Sequence, residues 1–267
     1  MKKTHGHAPI HGLEMHYEIE GEGAPLVFIP PAFGFAGAKS FPALAMRHAI
    51  LTVDLQGHGR TADVPDRPLS IEQHAEDVVA LLDHLGVSRA DFLGESYGGN
   101  TAAMIAVRHP ERVRRVATYA ATFSPPPSTL DPSTTRYDRP PTAETRDVLF
   151  QRESYRKVAP NPSYWPKIYA KVGRIEWKGF SDRELASIEA PMLILQGDHD
   201  FVRLEHSVET FRRIPRAELA VIPNASHFAL SSEQERVIPI VQHFLEKPDE
   251  QLPLATAALG YHPGETR

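Results

Sequence analysis

The stretch Gly94-Glu95-Ser96-Tyr97-Gly98-Gly99 has the residue types and spacing of a turn that presents a nucleophile. A strand-like run, 90–93, comes before it, and the small residues of 99–107 predict a helix after it. Glycine at both flanks lets strand and helix approach closely, while the sharp turn lifts the serine hydroxyl clear of the backbone. We therefore predict that Ser96 is a catalytic nucleophile. The alternative is a glycine-rich turn with an incidental serine.

A serine hydroxyl is a poor nucleophile, so it needs a general base and an acid that orients the base. The buried-strand pattern of 219–222 ends in a loop that carries His227, and that of 192–195 ends in a turn that carries Asp198 and Asp200. The carboxyl ends of parallel strands share one edge of a sheet, where active sites form. We expect His227 to be the base and one of these aspartates to be its partner.

The two aspartates occupy different places in their turn. Asp200 lies three residues after Gly197, far enough round to face the histidine. Asp198 follows the glycine directly, which suits bracing the turn through backbone hydrogen bonds. The predicted catalytic residues are therefore Ser96, Asp200 and His227.

Acyl transfer passes through a tetrahedral intermediate whose oxygen needs two amide donors. The backbone N–H of Tyr97, at the start of the helix after the serine, is the first candidate. The second must come from the loop after the strand-like run 26–29, where Pro30 and Pro31 have no N–H to donate. Ala32 is the first residue of that loop that can donate, so we predict that Tyr97 and Ala32 form the oxyanion hole.

Aromatic residues near these positions could shape a substrate pocket. They favour an apolar or aromatic group on the substrate, but packing of one segment of the protein against another would explain them equally well. The predicted pocket residues are Phe33, Trp165, Tyr169 and Phe228.

Continuous apolar runs separated by helical patterns predict an α/β protein with a parallel sheet and helices on both faces. Ser70 and Gln73 have the spacing of a capping box, which predicts a helix that begins at 71 and ends before Gly86. A helix is also expected across 37–48.

One segment, 124–183, breaks this alternation because it is rich in proline and holds both tryptophans. A structureless loop of this length is uncommon inside a compact domain, so we predict an inserted lid. The predicted organisation is a core of 1–123 and 184–246, a lid of 124–183 and a C-terminal tail of 247–267.

The composition narrows the classes of partner. The 267 residues carry a net charge of -5, which does not favour binding to nucleic acid or to an anionic membrane. No apolar run approaches the roughly 20 residues that span a bilayer, and the lysines at the start lack the apolar segment of a secretory signal. The absence of cysteine excludes disulfides and thiolate chemistry. We expect a cytoplasmic protein that acts on a small molecule without a cofactor; its oligomeric state is left open.

Four histidines cluster near the start of the chain, at His5, His7, His11 and His16. They could form a metal site or lie on a solvated N-terminal hairpin. We favour the hairpin, because no carboxylate or cysteine supplies the rest of a coordination shell.

These motifs together resemble the α/β-hydrolase superfamily over about residues 10–246. The strand, turn and helix around Ser96 match, as does the order of serine, aspartate and histidine along the chain. Asp54-Leu55-Gln56-Gly57-His58-Gly59-Arg60-Thr61 is similar to the family's Asp-x-Arg-Gly-His-Gly-x-Ser segment. The resemblance implies an eight-stranded, mostly parallel sheet with a lid inserted after the sixth strand, and places His58 in a supporting loop.

Two positions depart from the family pattern: Pro30-Pro31 stands where His-Gly is common, and Gln56 replaces an arginine. The function implied is a serine hydrolase that cleaves a small carboxylic ester or lactone through an acyl-enzyme. A carbon–carbon bond hydrolase, a cofactor-free peroxidase or an acyltransferase could use the same site, and a non-catalytic ligand-binding protein could use the same scaffold. Ser96 argues against dehalogenases and epoxide hydrolases, which place an aspartate in the turn.

Overall fold

A single eight-stranded sheet organises the protein in a computed structural model that describes residues 3–125, 128–131 and 146–248. The strands are β1 (Lys3–Ile10), β2 (Leu13–Glu20), β3 (Ala24–Ile29), β4 (His48–Val53), β5 (Ala90–Glu95), β6 (Val113–Tyr119), β7 (Met192–Gly197) and β8 (Ala217–Ile222).

The strand order is β1-β2-β4-β3-β5-β6-β7-β8. β1 and β2 form an antiparallel hairpin, and β2 also runs antiparallel to β4. Every pair from β4 to β8 is parallel. The predicted mostly parallel, eight-stranded α/β architecture is therefore confirmed, and the ends of β5, β7 and β8 meet at one edge.

Helices cover both faces of the sheet. They are α1 (Pro42–Ala45), α2 (Ile71–His84), α3 (Tyr97–Arg108), α4 (Arg146–Val158), α5 (Trp165–Val172), α6 (Asp182–Ala186), α7 (Leu204–Arg213), α8 (Ala229–Ser232) and α9 (Gln234–Glu246). One buried apolar cluster joins the sheet to α2 and α3, and a second joins it to α1 and α9. No helix in the part of the chain that the structure describes has the length and apolar character to cross a bilayer.

The helix expected across 37–48 is wrong in extent, because only Pro42–Ala45 is helical. Gly37 has a φ of 81°, outside the right-handed helical region, and a proline at the first helical position disfavours helix before it. The start of α2 matches better: Ser70 Oγ accepts from the Gln73 amide at 3.0 Å. The Gln73 side chain, however, faces Asp77 Oδ1 at 3.4 Å.

The segment predicted to be a lid contributes a third apolar cluster, separate from the two at the sheet. It joins α4 and α5, through residues such as Tyr155 and Ile168, to Phe33 and Leu69 of the body. Trp177, in contrast, packs against the sheet cluster and donates its indole N–H to the carbonyl of Thr122 at 3.0 Å. The boundaries at 124 and 183 stay predictions. Parts of that segment, 126–127 and 132–145, and most of the predicted tail, 249–267, lie outside the described residues.

Candidate active site

The nucleophile turn, residues 94–99, is as tight as its glycines predict. Ser96 lies between β5 and α3 with φ 51° and ψ −116°, a backbone conformation that L-residues rarely adopt. A Cβ on Gly94 would collide with the carbonyl oxygen of Gly98, and a Cβ on Gly98 would collide with that of Ile29. The Ser96 amide donates to Tyr119 O at 2.7 Å. These contacts fix the serine hydroxyl at the edge of the sheet.

The three predicted catalytic side chains meet in one hydrogen-bonded row. Ser96 Oγ lies 3.0 Å from His227 Nε2, and His227 Nδ1 lies 2.8 Å from Asp200 Oδ1. Because an ionised carboxylate only accepts, Nδ1 carries the hydrogen and Nε2 is free to accept the serine proton. This is the geometry expected of a nucleophile, a base and the acid that orients the base.

The carboxylate and imidazole are shielded from water. Asp200 is 4% exposed, and its Oδ1 also accepts from the Val202 amide at 3.0 Å. The His227 ring stacks on Phe201 with centroids 4.0 Å apart and meets Phe228 edge-on at 5.4 Å. The two aromatic rings restrict the imidazole plane, so the hydrogen bonds to serine and aspartate stay aligned. Sequence reasoning did not identify Phe201, which is the residue directly after the acid.

Asp198 has different partners from Asp200. Its Oδ1 pairs with His199 Nδ1 at 2.8 Å and accepts from the Ala225 amide at 3.2 Å. The hydrogen bond from His199 is the main reason that the pKa of Asp198 lies below its ordinary value. Asp198 thus ties the acid turn (197–201) to the base loop (223–228), and Asp200 is the aspartate that reaches the histidine.

A tyrosine at the end of β6 holds the base loop in place through a hydrogen bond. Tyr119 is fully buried, and its hydroxyl donates to the carbonyl of Ser226, the residue before His227, at 2.7 Å. No pattern in the sequence predicts this role for Tyr119. Its signal is weak, because a tyrosine at the end of a buried strand is also ordinary core material.

Glu95, directly before Ser96, lies in a partly buried ion pair with Lys39, and its Oε1 accepts from Ser231 Oγ at 3.2 Å. Burial lowers the pKa of Lys39, an effect that the Glu95 charge opposes. The pair connects the nucleophile turn to the loop after β3 and to α8. Sequence reasoning missed this pair, since nothing local links residues 39 and 95.

The proposed oxyanion donors lie on neighbouring segments. Tyr97 is the first residue of α3, where backbone N–H groups have no intrahelical partner. The close approach of Gly98 to Ile29 places this helix end beside the loop that contains Ala32. That loop is held by a turn, Gly34 N to Pro31 O at 2.8 Å, and by Ala36 N, which donates to the buried Asp54 at 2.5 Å. The roles of Tyr97 and Ala32 as donors stay predictions.

Three of the four predicted pocket residues lie together. Phe33 has its ring centroid 4.7 Å from that of Trp165 and 5.9 Å from that of Tyr169. Phe33 and Trp165 are almost fully buried, so much of their surface serves packing of α4 and α5 against the rest of the protein. Phe228 is separate from them: it lies beside His227 and is 56% exposed. A contact of any of the four with substrate stays a prediction.

The N-terminal histidines lie on and around the β1–β2 hairpin. His7 pairs with His16 across the strands, with ring centroids 4.9 Å apart, and His16 Nδ1 bonds Asp54 Oδ2 at 2.9 Å. Over residues 3–125, 128–131 and 146–248, no group of three or more histidine and carboxylate side chains is arranged to hold a metal ion.

Comparison with known proteins agrees with this geometry. A family model described as the α/β hydrolase fold matches residues 24–153. A 2-hydroxymuconate semialdehyde hydrolase of Pseudomonas putida is 26% identical over 263 residues, which cover 89% of this chain and 92% of the relative.

Two solved structures are similar over nearly the whole of their chains. An enol-lactonase from Burkholderia xenovorans LB400 is 25% identical with a TM-score of 0.69, covering 90% of this chain and 100% of that one. Est816, an N-acyl homoserine lactone degrading enzyme, is 26% identical with a TM-score of 0.70 over the same shares. With the sheet order and the family match, these likenesses show that the chain has the fold of the α/β-hydrolase superfamily.

Proposed function

We propose that this protein is a serine hydrolase that cleaves a small carboxylic ester or lactone. The observation that carries the proposal is the continuous hydrogen-bonded row from Ser96 Oγ through His227 to Asp200. The fold alone does not define chemistry, because one fold hosts many functions. The row adds a nucleophile, a base and an orienting acid in the geometry that acyl transfer needs.

In the proposed reaction, Ser96 Oγ attacks the substrate carbonyl carbon while His227 Nε2 takes the hydroxyl proton. Asp200 holds the imidazole tautomer and stabilises the imidazolium, and the amides of Tyr97 and Ala32 receive the negative charge on the oxygen. His227 then returns the proton to the leaving alkoxide, which leaves an acyl-enzyme. A water molecule, deprotonated by His227, attacks the acyl carbon. His227 then gives that proton to Ser96 Oγ as the bond between Oγ and the acyl carbon breaks, which releases the acid and free Ser96.

Two observations favour a lactone or a compact ester within this class. Two of the similar solved structures, at 25% and 26% identity, are an enol-lactonase and an enzyme that degrades an N-acyl homoserine lactone. The lid helices also pack aromatic side chains, Trp165 and Tyr169, against Phe33 beside the proposed oxyanion loop. An apolar wall there suits a substrate with a small hydrocarbon body.

The first experiment compares Ser96→Ala with wild type on p-nitrophenyl esters of rising chain length and on a panel of lactones. We expect kcat to fall by at least about 10³-fold without loss of fold, because the nucleophile is removed. A fluorophosphonate probe should label wild type and not the variant. Ser187→Ala, an exposed serine at the end of α6, is the matched control and should keep full activity. A folded Ser96→Ala protein with more than a few per cent of the activity would refute the proposal.

A carbon–carbon bond hydrolase is the second candidate, because the Pseudomonas putida relative of that kind aligns along 89% of this chain. The two activities can be separated with purified wild-type protein. Turnover of 2-hydroxymuconate semialdehyde that exceeds turnover of every ester and lactone in the panel would favour this second function. In either case the activity should depend on Ser96.

A further inference from the structure

Three side chains behind the nucleophile turn carry buried polar atoms that have no hydrogen-bond partner in the described part of the protein. Within the described residues, no partner is found for His58 Nε2, for either ring nitrogen of His74 or for the Tyr97 hydroxyl. His58 and His74 are 1% and 0% exposed. Buried polar atoms in folded proteins are nearly always hydrogen-bonded, so four such atoms in one place require an explanation.

The three side chains form a single cluster although they come from three elements. His58 lies in the loop after β4, His74 in α2, and Tyr97 at the first position of α3. Their ring centroids are 5.6 to 6.1 Å apart in every pair. Phe33 stacks on His58 at 5.4 Å and helps to separate the cluster from the lid side.

The hydrogen-bonding capacity of the cluster is balanced between donors and acceptors. His58 Nδ1 lies 2.9 Å from the carbonyl of Gln56, so it carries the hydrogen and leaves Nε2 as an acceptor. A neutral His74 offers one acceptor and one N–H, and the Tyr97 hydroxyl can donate. Water is the ligand that both donates to ring nitrogens and accepts from a hydroxyl, and it commonly bridges buried polar groups in this way.

We propose that the His58–His74–Tyr97 cluster is a binding site for an ordered internal water. The water donates to His58 Nε2 and to the unprotonated nitrogen of His74, and it accepts from the Tyr97 hydroxyl, so it satisfies three of the four atoms. It thereby joins the first residue of α3, which follows Ser96 directly, to α2 and to the loop after β4. If the proposed function holds, this water also steadies the Tyr97 amide at the oxyanion position.

The sign of one stability change tests the proposal. If the Tyr97 hydroxyl bonds a water, Tyr97→Phe removes a hydrogen bond and the Tm falls by a few degrees. If the hydroxyl is truly unpartnered, the same change removes a buried polar atom that nothing satisfies, and the Tm rises or stays constant. Tyr119→Phe is the matched reference, because its hydroxyl donates to Ser226 O and its loss should lower the Tm.

A high-resolution crystal structure of the wild-type protein gives an independent answer, including when the variant does not fold. Density for a water within hydrogen-bond distance of at least two of the three side chains supports the site. A dry cluster, or a metal ion identified by its anomalous signal, overturns it. Neither the Tm shift nor the density depends on activity, so both results stand whether or not Ser96 proves to be the nucleophile.

Discussion

Two aspartates in the acid turn, Asp198 and Asp200, have different partners, and this predicts different results from the same substitution. Asp200→Asn should keep the fold but lower kcat by up to about 10⁴-fold, because an amide no longer fixes the His227 tautomer. Asp198→Asn should cost less than about tenfold, since this side chain bonds an exposed histidine and one amide of the base loop. Steady-state kinetics on both purified variants, with circular dichroism to verify the fold, makes the comparison.

Equal losses in the two aspartate variants would contradict this assignment, as would a larger loss in Asp198→Asn. Asp198→Glu and Asp200→Glu add a further distinction. We expect Asp200→Glu to lower kcat, because the Val202 amide also fixes the position of Asp200 Oδ1. Asp198→Glu should lower kcat less.

At the residue scale, the sequence identifies side chains whose local context has a pattern of its own. Ser96 is flanked by glycines, and His227 and Asp200 each follow a strand-like run that ends in a loop. Phe201 and Tyr119 have no such context, because their roles come from contacts with residues distant in the sequence. For the same reason the sequence does not predict the cluster of His58, His74 and Tyr97, whose members lie on three elements.

At the element scale, the approach of α3 to β3 predicts the effect of one methyl group. Gly98→Ala places a Cβ against the Ile29 carbonyl oxygen, which is backbone and cannot rotate away. We expect a stability loss of roughly 1–3 kcal/mol and a clear fall in kcat, because α3 must move away from the loop after β3. Urea unfolding and steady-state kinetics measure the two effects.

Gly173→Ala is the matched control for the nucleophile-turn glycine. Gly173 follows α5 with φ −65°, and a Cβ there would meet no atom closer than 3.4 Å. This change should be neutral or slightly stabilising, since alanine restricts the unfolded chain. If Gly98→Ala were as stable and active as Gly173→Ala, the nucleophile turn would have more room for a methyl group than the structure indicates.

Elements with strong internal patterns were predicted better than those that depend on pairing. The sequence predicts the apolar runs of β3, β4 and β7 and the helix cap at Ser70. The helix expected across 37–48 failed because Gly37 and Pro42 limit it to one turn. β1 is mostly exposed and has no apolar run, so only its pairing with β2 defines it fully.

At the scale of the whole molecule, packing keeps several histidines uncharged. Burial lowers the pKa of His58 and His74, and that of His206 to about 4. Nearby arginines, Arg203 and Arg213, lower the pKa of His206 further. His206 is 2% exposed, and its Nε2 accepts from the Phe123 amide at 2.9 Å. An imidazolium cannot accept this hydrogen bond, so the fold favours the neutral form.

The low pKa of His206 predicts acid instability over a defined range. In the unfolded chain a histidine has a pKa of about 6.5, so below that pH the unfolded state binds a proton that the folded state excludes. The stability linked to His206 is therefore complete above about pH 6.5 and declines as the pH falls toward 4, by up to about 1.4 kcal/mol per pH unit.

Urea unfolding at pH 7, 6 and 5 tests this prediction. The free energy of unfolding should decline less steeply with acid for His206→Gln, which keeps an acceptor that does not titrate, than for wild type. His84→Gln, at an exposed position in the last turn of α2, is the control and should leave the slope unchanged. A His206→Gln protein that loses stability with acid as steeply as wild type would mean that other groups govern the acid limit of this fold.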